Sequence, residues 1–517
     1  MSSSSEDATF IRYRIILISV LMAFGLYVTR ATLGEIIKND SFLQDSALTS
    51  HPSTRFELEL LKPEENTPHA SMGTSDALRT RVNDFLDRKS DDTRKLTYPQ
   101  TLQDNLTQAD GMALQAEVES LGGVCRLRMS KQQLGGVLGA FFFTYALMQV
   151  PAGWLSDRFG PRRALSIYIL GWSGLTAITG LVSSLPGVLA ARMACGVAQS
   201  GAYPASSAIV RRWFPLSRRG SASSLISFGG RLGATLAPPL TTGLIFFLGG
   251  WRATLWAFGA FGILISVGYW LIVRDRPTLH DGCNDAEREL IGLPVEPASL
   301  SFMELLSILK ACIFSRSLWL NSVAQFCVNV GWAFLLTWLP TYLRDSKGVD
   351  LNTGAIMVSL VLACGMAGQL IGGWATDASV RRFGLRIGRV LPICVASTLA
   401  GCAYLGCLAL DDVWAIVACC GLVSLMTDVG NPSIWSFMQD IGGRGTGTVF
   451  GWANMWGNFG AAFSASMVPK LMAWGSASGS GQSMVFMGCA GAFFIAAVAA
   501  IGMDATKPLQ PKPESGS

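Results

Sequence analysis

The sequence predicts an all-α membrane protein, with twelve transmembrane helices in two pseudo-symmetric six-helix halves. Three observations carry that expectation. The chain of 517 residues is 50% hydrophobic and only 15% charged, with a mean hydropathy of +0.39, a composition that belongs to the membrane class. Twelve stretches approach the roughly 20 mostly apolar residues that a membrane-spanning helix needs. A basic turn, Gln149-Val-Pro-Ala-Gly-Trp-Leu-Ser-Asp-Arg-Phe-Gly-Pro-Arg-Arg163, joins two of these runs, and its design returns later in the chain. There Gln369, Gly373, Trp374 and Asp377 repeat Gln149, Gly153, Trp154 and Asp157, and Arg381-Arg382-Phe-Gly384 echoes the basic ending. Two copies of one turn in corresponding places mark a duplicated bundle.

The candidate spans lie at 15–37, 131–153, 163–183, 187–209, 220–247, 252–273, 318–343, 352–376, 387–409, 413–438, 445–471 and 483–503. The first is long enough to span and lacks a small-residue cleavage site, so it reads as a helix and not as a cleaved leader. Loop charge alternates with the spans. Arg12 and Arg14 precede span one; Arg158, Arg162 and Arg163 follow span two; Arg211, Arg212, Arg218 and Arg219 follow span four. Arg274 and Arg276 follow span six, Arg381, Arg382, Arg386 and Arg389 follow span eight, and Arg444 follows span ten. The opposite loops are poor in basic residues, with Arg344, Lys347 and Lys470 as exceptions. The positive-inside rule then puts both termini in the cytoplasm of an integral plasma (inner) membrane protein.

Segments outside the spans complete the domain plan. Residues 1–14 form a cytoplasmic N-terminus, 15–273 the first half, 274–317 a cytoplasmic linker, 318–503 the second half and 504–517 a disordered cytoplasmic tail. Residues 38–130 are polar and form an extracytoplasmic insertion between spans one and two. Short helical pieces such as Ser75–Arg88 are expected there, in a stretch that reads as mobile and without its own core. It is either a ligand-capturing or partner-binding cap or an insertion with little effect on transport. The net charge of +5 does not point to nucleic acid, because the arginines cluster in short interhelical loops. Most of the 12 cysteines lie inside apolar runs, where a thiol behaves as a small hydrophobe, and no disulfide framework is indicated.

The turn Gly153-x-Leu155-x-Asp157-Arg158-x-Gly160-x-Arg162-Arg163 resembles the loop signature between spans two and three of major facilitator superfamily transporters. Further motifs resemble the anion:cation symporter branch of that superfamily, which includes sugar-acid and organic-anion permeases. They are Tyr27-Val-Thr-Arg30-Ala-Thr-Leu33, Arg211-Arg-Trp-Phe-Pro215 with Arg219-Gly220, Leu336-Thr-Trp-Leu-Pro-Thr-Tyr-Leu343, and Gln439-Asp-Ile-Gly-Gly443 followed by Gly451-Trp-Ala-Asn454-Met-Trp-Gly-Asn458. The resemblance implies the major facilitator fold and alternating access, with a turn that latches the two halves in the outward-open state. That role is carried to Asp157 and Arg158, with Gly153 and Gly160 allowing close approach and a sharp bend, and Asp377 as the counterpart in the second half. Asp157 can accept hydrogen bonds from Arg158, Arg162 or the start of a neighbouring helix; simple topological anchoring by charge is the alternative.

Ionisable groups inside hydrocarbon cost about 2.5–3.5 kcal/mol each and are functional candidates by default. Here they are Arg30, Arg192 and Arg231, with Glu35 near the outer end of span one and Asp428 midway along span ten. More arginine than carboxylate suits an anionic substrate, since guanidinium grips a carboxylate or phosphate with paired hydrogen bonds. The resemblance implies that Arg30 binds the substrate carboxylate and that Tyr145, Trp435 and Asn454 contact the ligand; an Arg30–Glu35 ion pair and ordinary aromatic packing are the alternatives. Gln199 is a further polar candidate. Gly230-Arg231-Leu-Gly-Ala234 aligns with Gly457-Asn458-Phe-Gly-Ala461 in the repeat. Arg231 therefore either meets a second acidic group on the ligand or pairs with Asp428.

The resemblance also shows where this chain departs. Proton-coupled members of the branch carry acids at the positions occupied here by Thr29 and Gln199, neither of which titrates at physiological pH. Arg192 is present without the carboxylate expected beside it. Coupling would then pass through Asp428 or Glu35, or transport is facilitated diffusion or exchange. The function expected is secondary transport of a small organic anion, most plausibly a sugar acid. A sugar-phosphate exchanger and a membrane sensor using 38–130 are the competing readings. The chain carries no nucleotide-binding Gly-x-x-x-x-Gly-Lys, no triad and no metal cluster, so neither an enzyme nor a cofactor is expected. The partners expected are the substrate anion, the lipid bilayer and protons, with a monomeric protein.

Overall fold

The computed structural model describes residues 8–37, 42, 48, 56–61, 100–120, 124–129, 131–292, 300–474 and 481–509. Its helices fall on the apolar runs. Spans one to three are Ile11–Ile36, Lys131–Phe159 and Pro161–Thr179. Span four is built from Leu185–Ser200 and Ala202–Trp213, which meet at Gly201; spans five and six are Arg219–Leu248 and Trp251–Ile272. A linker carries helices Asp285–Ile291 and Phe302–Phe314. Span seven is Arg316–Thr337, spans eight and nine run together as Leu351–Gly406, and spans ten to twelve are Val413–Ile441, Thr446–Trp474 and Gly481–Ile501.

Eight described helices are long and apolar enough to cross a membrane, and one of them, Asn352–Gly406, holds two spans. The other three crossings are spans three, four and eleven. Spans four and eleven are diluted by inward-facing polar groups such as Arg192, Gln199, Asn454 and Asn458. The two repeated turns each reverse the chain at a glycine in the left-handed region, Gly160 at φ +89 and Gly384 at φ +75, a conformation that side chains with a Cβ rarely adopt. Span starts on the other face are capped by side chains: Ser184 accepts from the Gly187 amide, Asp350 from Thr353 and Asp412 from Ala415.

Packing repeats between the halves. Span one lies on five and span seven on eleven; span three lies on six, and span nine on twelve, where a Cβ at Gly401 would meet Phe494. Across the boundary, span two packs on eleven and span five on eight. The hydrophobic cores show how the halves meet. One core, at the end of the bundle that carries the linker, mixes residues of both halves, among them Ile209, Trp213, Ile226, Trp435, Phe437, Phe450 and Ala453. Towards the opposite end the cores separate: one is drawn from the second half alone and another from the first half with the insertion. The halves are thus fused at the linker face and apart at the insertion face.

The insertion differs from expectation. Its described residues form a three-stranded antiparallel sheet in the order β2-β1-β3, with β1 Phe56–Leu61, β2 Gln100–Leu106 and β3 Val124–Met129, and with helix Gln108–Ser120 between β2 and β3. The central strand pairs Phe56 with Leu106 on one side and with Met129 on the other. Phe42, Leu48, Phe56, Leu106 and Val118 are buried in one cluster with Leu33, Ile36, Val188, Ile245 and Trp251 of the first half. This core is shared with the bundle and joins strands far apart in sequence, so no local periodicity announces it. The helical piece expected at Ser75–Arg88 lies outside the described residues.

Candidate functional site

The linker face is closed by two equivalent carboxylates. Asp157, at the end of span two, accepts from the backbone amides of Gly447 (2.9 Å) and Thr448 (2.8 Å) and from the Thr448 hydroxyl (2.8 Å), at the start of span eleven. Asp377, at the end of span eight, accepts from the amides of Gly220 and Ser221 (both 2.8 Å) and from the Ser221 hydroxyl (2.5 Å), at the start of span five. Each places a negative charge on the unsatisfied amides of a helix in the other half. A Cβ at Gly153 would collide with the Gly447 carbonyl, which is why spans two and eleven can approach this closely. Of the partners anticipated for Asp157, the structure selects the neighbouring helix start. Arg158 instead stacks over Trp154 and Phe159, and Arg162 donates to the Trp270 carbonyl.

The second carboxylate sits in a larger ion network. Arg219 of span five meets Asp440 of span ten at 2.6 Å, Arg389 meets the other Asp440 oxygen at 2.7 Å, and Arg389 also donates to the Leu216 carbonyl. Arg389 is fully buried and Arg219 is 3% exposed, so these two do more than mark the basic side of the membrane. On the first half's side, Glu304 of the linker caps its own helix through Ser301 and meets Arg444 at 2.6 Å. Glu287, also in the linker, is fully buried; it accepts from the amides of Ile11 and Arg12 and pairs with the Arg12 guanidinium.

Above the latches lies an aromatic floor. Trp435 of span ten packs edge-on against Tyr203 of span four (4.8 Å) and Phe450 of span eleven (5.2 Å), and Tyr203 neighbours Tyr27 of span one (6.3 Å). Trp435 is five residues before Asp440 and seven after Asp428, so at about 1.5 Å per residue it separates the latch from the midplane.

Arg30 stands above this floor. Its guanidinium lies 4.3 Å from the Tyr145 ring centroid, 4.8 Å from Tyr27 and 5.4 Å from Phe141. Its Nε donates to Gln199 Oε1 at 3.1 Å, and Gln199 in turn donates to Thr29. Arg192 donates to the Arg30 carbonyl and also stacks on Phe141. Neither guanidinium has an ion-pair partner among the described residues, and Arg30 Nη2 and Arg192 Nε are buried without any hydrogen-bond partner. Asn454 reaches Gln149 across the boundary at 2.8 Å, and Asn458 donates to the Asn454 carbonyl.

Arg231 meets Asp428 at 2.6 Å, and Gln369 donates to the same carboxylate oxygen. Of the two readings of Arg231, this conformation adopts the ion pair. Glu35 is half-buried in the last turn of span one, five residues after Arg30. Of the residues singled out from the sequence, the structure brings together Arg30, Tyr145 and Gln199, and separately Arg231 and Asp428. Sequence reasoning missed Tyr27 and Tyr203 as cavity walls, Gln149 as the partner of Asn454, and the Arg219–Asp440–Arg389 network. Asp440, an acid placed among basic loops, was the signal for the last of these.

The family model that matches, over residues 96–465, is described as Major Facilitator Superfamily. A probable sulfoacetate transporter of Cupriavidus necator is 31% identical over 351 residues, covering 66% of this chain and 78% of that protein. A probable galactarate/D-glucarate transporter of Bacillus subtilis is 28% identical over 378 residues, covering 70% and 82%. Among solved structures, the human organic anion transporter MFSD10 superposes with a TM-score of 0.60 at 17% identity, covering 95% of this chain and 99% of that one.

Proposed function

Because this chain belongs to the Major Facilitator Superfamily, we propose that it is an alternating-access carrier of small organic acids and that Arg30 receives the substrate's acidic group. The observation that carries the reading is a pair of cations, Arg192 buried and Arg30 part-buried, with no acidic partner among the described residues. Arg30 and Arg192 both lie over the Phe141 ring and have only neutral partners among the described residues. At roughly 2.5–3.5 kcal/mol for each charge in the membrane interior, such a pair persists where an anion is meant to join it. The aromatic walls of Tyr27, Tyr145 and Phe141 hold the guanidinium flat, ready for two parallel hydrogen bonds to a carboxylate or sulfonate. The named relatives, described as probable transporters of sulfoacetate and of galactarate/D-glucarate, fit that chemistry.

The linker face, rich in arginine, is the cytoplasmic side, and both termini lie there. The conformation is then closed to the cytoplasm and open on the side of the insertion, with the protein a monomer in the plasma membrane. Asp428 is the buried acid at the midplane among the described residues, so a proton-coupled cycle would run through it. The test is uptake into proteoliposomes together with thermal-shift binding of sugar acids and short sulfonates. Wild-type protein should accumulate one of these anions, and Arg30→Gln should not. Equal transport by the Arg30→Gln variant would refute the assignment.

A further inference from the structure

The Arg231–Asp428 pair crosses the boundary between the halves at the midplane, span five to span ten, and its geometry is lopsided. The Asp428 side chain is 2% exposed while that of Arg231 is 20% exposed, so the arginine is the member that opens onto the cavity. A single guanidinium nitrogen meets the acid, and the buried Nε has no partner. A ligand carboxylate lying in the fork would take two nitrogens. The face of the guanidinium rests over Trp332 at 4.5 Å, which fixes its position without neutralising it.

Asp428, for its part, does not depend on the arginine alone. Its Oδ1 also accepts from Gln369 Nε2 at 2.8 Å, and its Oδ2 faces Gly365, where an added Cβ would stand 2.5 Å away. The acid thus keeps a hydrogen-bonded seat when the arginine turns elsewhere. The two candidate anion sites are neighbours. Tyr27 lies under Arg30 at 4.8 Å, and Gly230, next to Arg231, packs on the same ring, an added Cβ falling 2.9 Å from its edge. Among the described residues, Arg30, Arg192 and Arg231 have one carboxylate partner between them, Asp428, so two of the three positive charges lack an acidic partner.

We propose that Arg231 is a second acid-binding subsite, that Asp428 is its resident counter-anion, and that the ligand is a small dianion. One acidic group sits on Arg30 and the other takes the place of Asp428 on Arg231. The inference rests on the assignment of Arg30 as the primary anion site and names the substrate class for it.

The experiment titrates purified full-length protein with two matched pairs, D-gluconate against D-glucarate and butyrate against succinate, following heat of binding. In each pair the second ligand adds a second terminal carboxylate to the same carbon skeleton. Wild type should bind at least one dianion about tenfold more tightly than its monoanion partner, the scale of one well-placed charged contact. The double variant Arg231→Gln/Asp428→Asn, which strands no buried charge, should bring that ratio close to one. Asp428→Asn alone should tighten the dianion roughly tenfold by removing its competitor.

An unchanged ratio in the double variant, or weaker dianion binding in Asp428→Asn, would make the pair purely structural and overturn the proposal. Arg30→Gln separates the two readings. If it abolishes binding of both members of a pair while the Arg231 variants leave their ratio intact, the primary site stands and the second subsite falls. Wild type that binds none of the four ligands overturns both.

Discussion

The latch carboxylates are equivalent in geometry and should carry equal weight in holding the linker face closed. Asp157→Asn keeps one acceptor oxygen and replaces the other with an amino group facing an N–H. At least one of three hydrogen bonds is lost, and those that remain lose their charge assistance. Bonds to a charged group are worth about 1.5–3 kcal/mol each, so the closed linker face should lose about 3 kcal/mol, roughly a hundredfold in the ratio of closed to open molecules. For Asp377→Asn the local loss is the same, and Arg219–Asp440 and Arg389 with the Leu216 carbonyl tie the halves in both variants alike. The shift there should also be about 3 kcal/mol, or roughly a hundredfold. Spin labels at Phe159 and Phe383, exposed at the ends of spans two and eight, report the separation of the halves by double electron–electron resonance. No shift from either variant, or a shift more than tenfold larger from one than from the other, would refute this account of the closed face.

Other outcomes follow from the same geometry. Arg30→Lys keeps the charge but loses the planar fork and the aromatic stacking, so anion affinity should fall by about tenfold or more in binding titrations. Gly153→Ala pushes a methyl into the backbone of span eleven, which cannot give way as a side chain could; the same spin-label pair should report a more open linker face. Glu304 has its carboxyl held below 4.5, first by the Ser301 amide, with Arg444 contributing. A lowered value means that its support of helix Phe302–Phe314 is complete above the ordinary glutamate range and is lost as pH falls through the lowered value. Hydrogen exchange of that helix, corrected for intrinsic rates, should be flat over roughly pH 5–8 and rise only in more acid solution, whereas Glu304→Gln should show the rise throughout. Phe42 is fully buried edge-on against Trp251 at 5.0 Å, so Phe42→Ala should cost about 3 kcal/mol of insertion docking, seen as faster proteolysis of 38–130. Transport that persists in this variant favours the carrier reading over a sensor.

The helical plan was legible because a lipid-spanning helix must satisfy its own backbone and be apolar for a fixed length, and because the duplicated turn repeats its glycines and aspartates. Arg30 was legible for a related reason, since a charge in hydrocarbon is too costly to be incidental. What stayed hidden depends on contacts between distant segments. Arg389 and Arg219 read as loop charges until folding brought Asp440 between them. The sheet in the insertion joins β1 to β2 across residues 62–99, and its anchoring residues alternate with polar ones, so nothing local separates it from coil. The partner of Arg231 could be narrowed to two candidates from the repeat, but only coordinates choose between states of one conformational cycle.

The division of the site between the halves limits how a substrate can drive the cycle. Arg30, Tyr27, Phe141, Tyr145, Arg192 and Gln199 all belong to the first half. A ligand that touched only this group would bind equally well in the inward- and outward-open states, and equal affinity shifts no equilibrium however tight the binding. The bias must come from contacts that cross the boundary and are made in one state only. Among the contacts of that kind in this structure are Asn454 with Gln149, Trp435 with Tyr203, and Arg231 with Asp428. The first two rest on span eleven or the aromatic floor and break when the linker face opens. The third can be exchanged, because an acid on the ligand can replace the acid on span ten. A dianion would release one tie between the halves as it makes its own, whereas a monoanion on Arg30 alone would leave that tie in place.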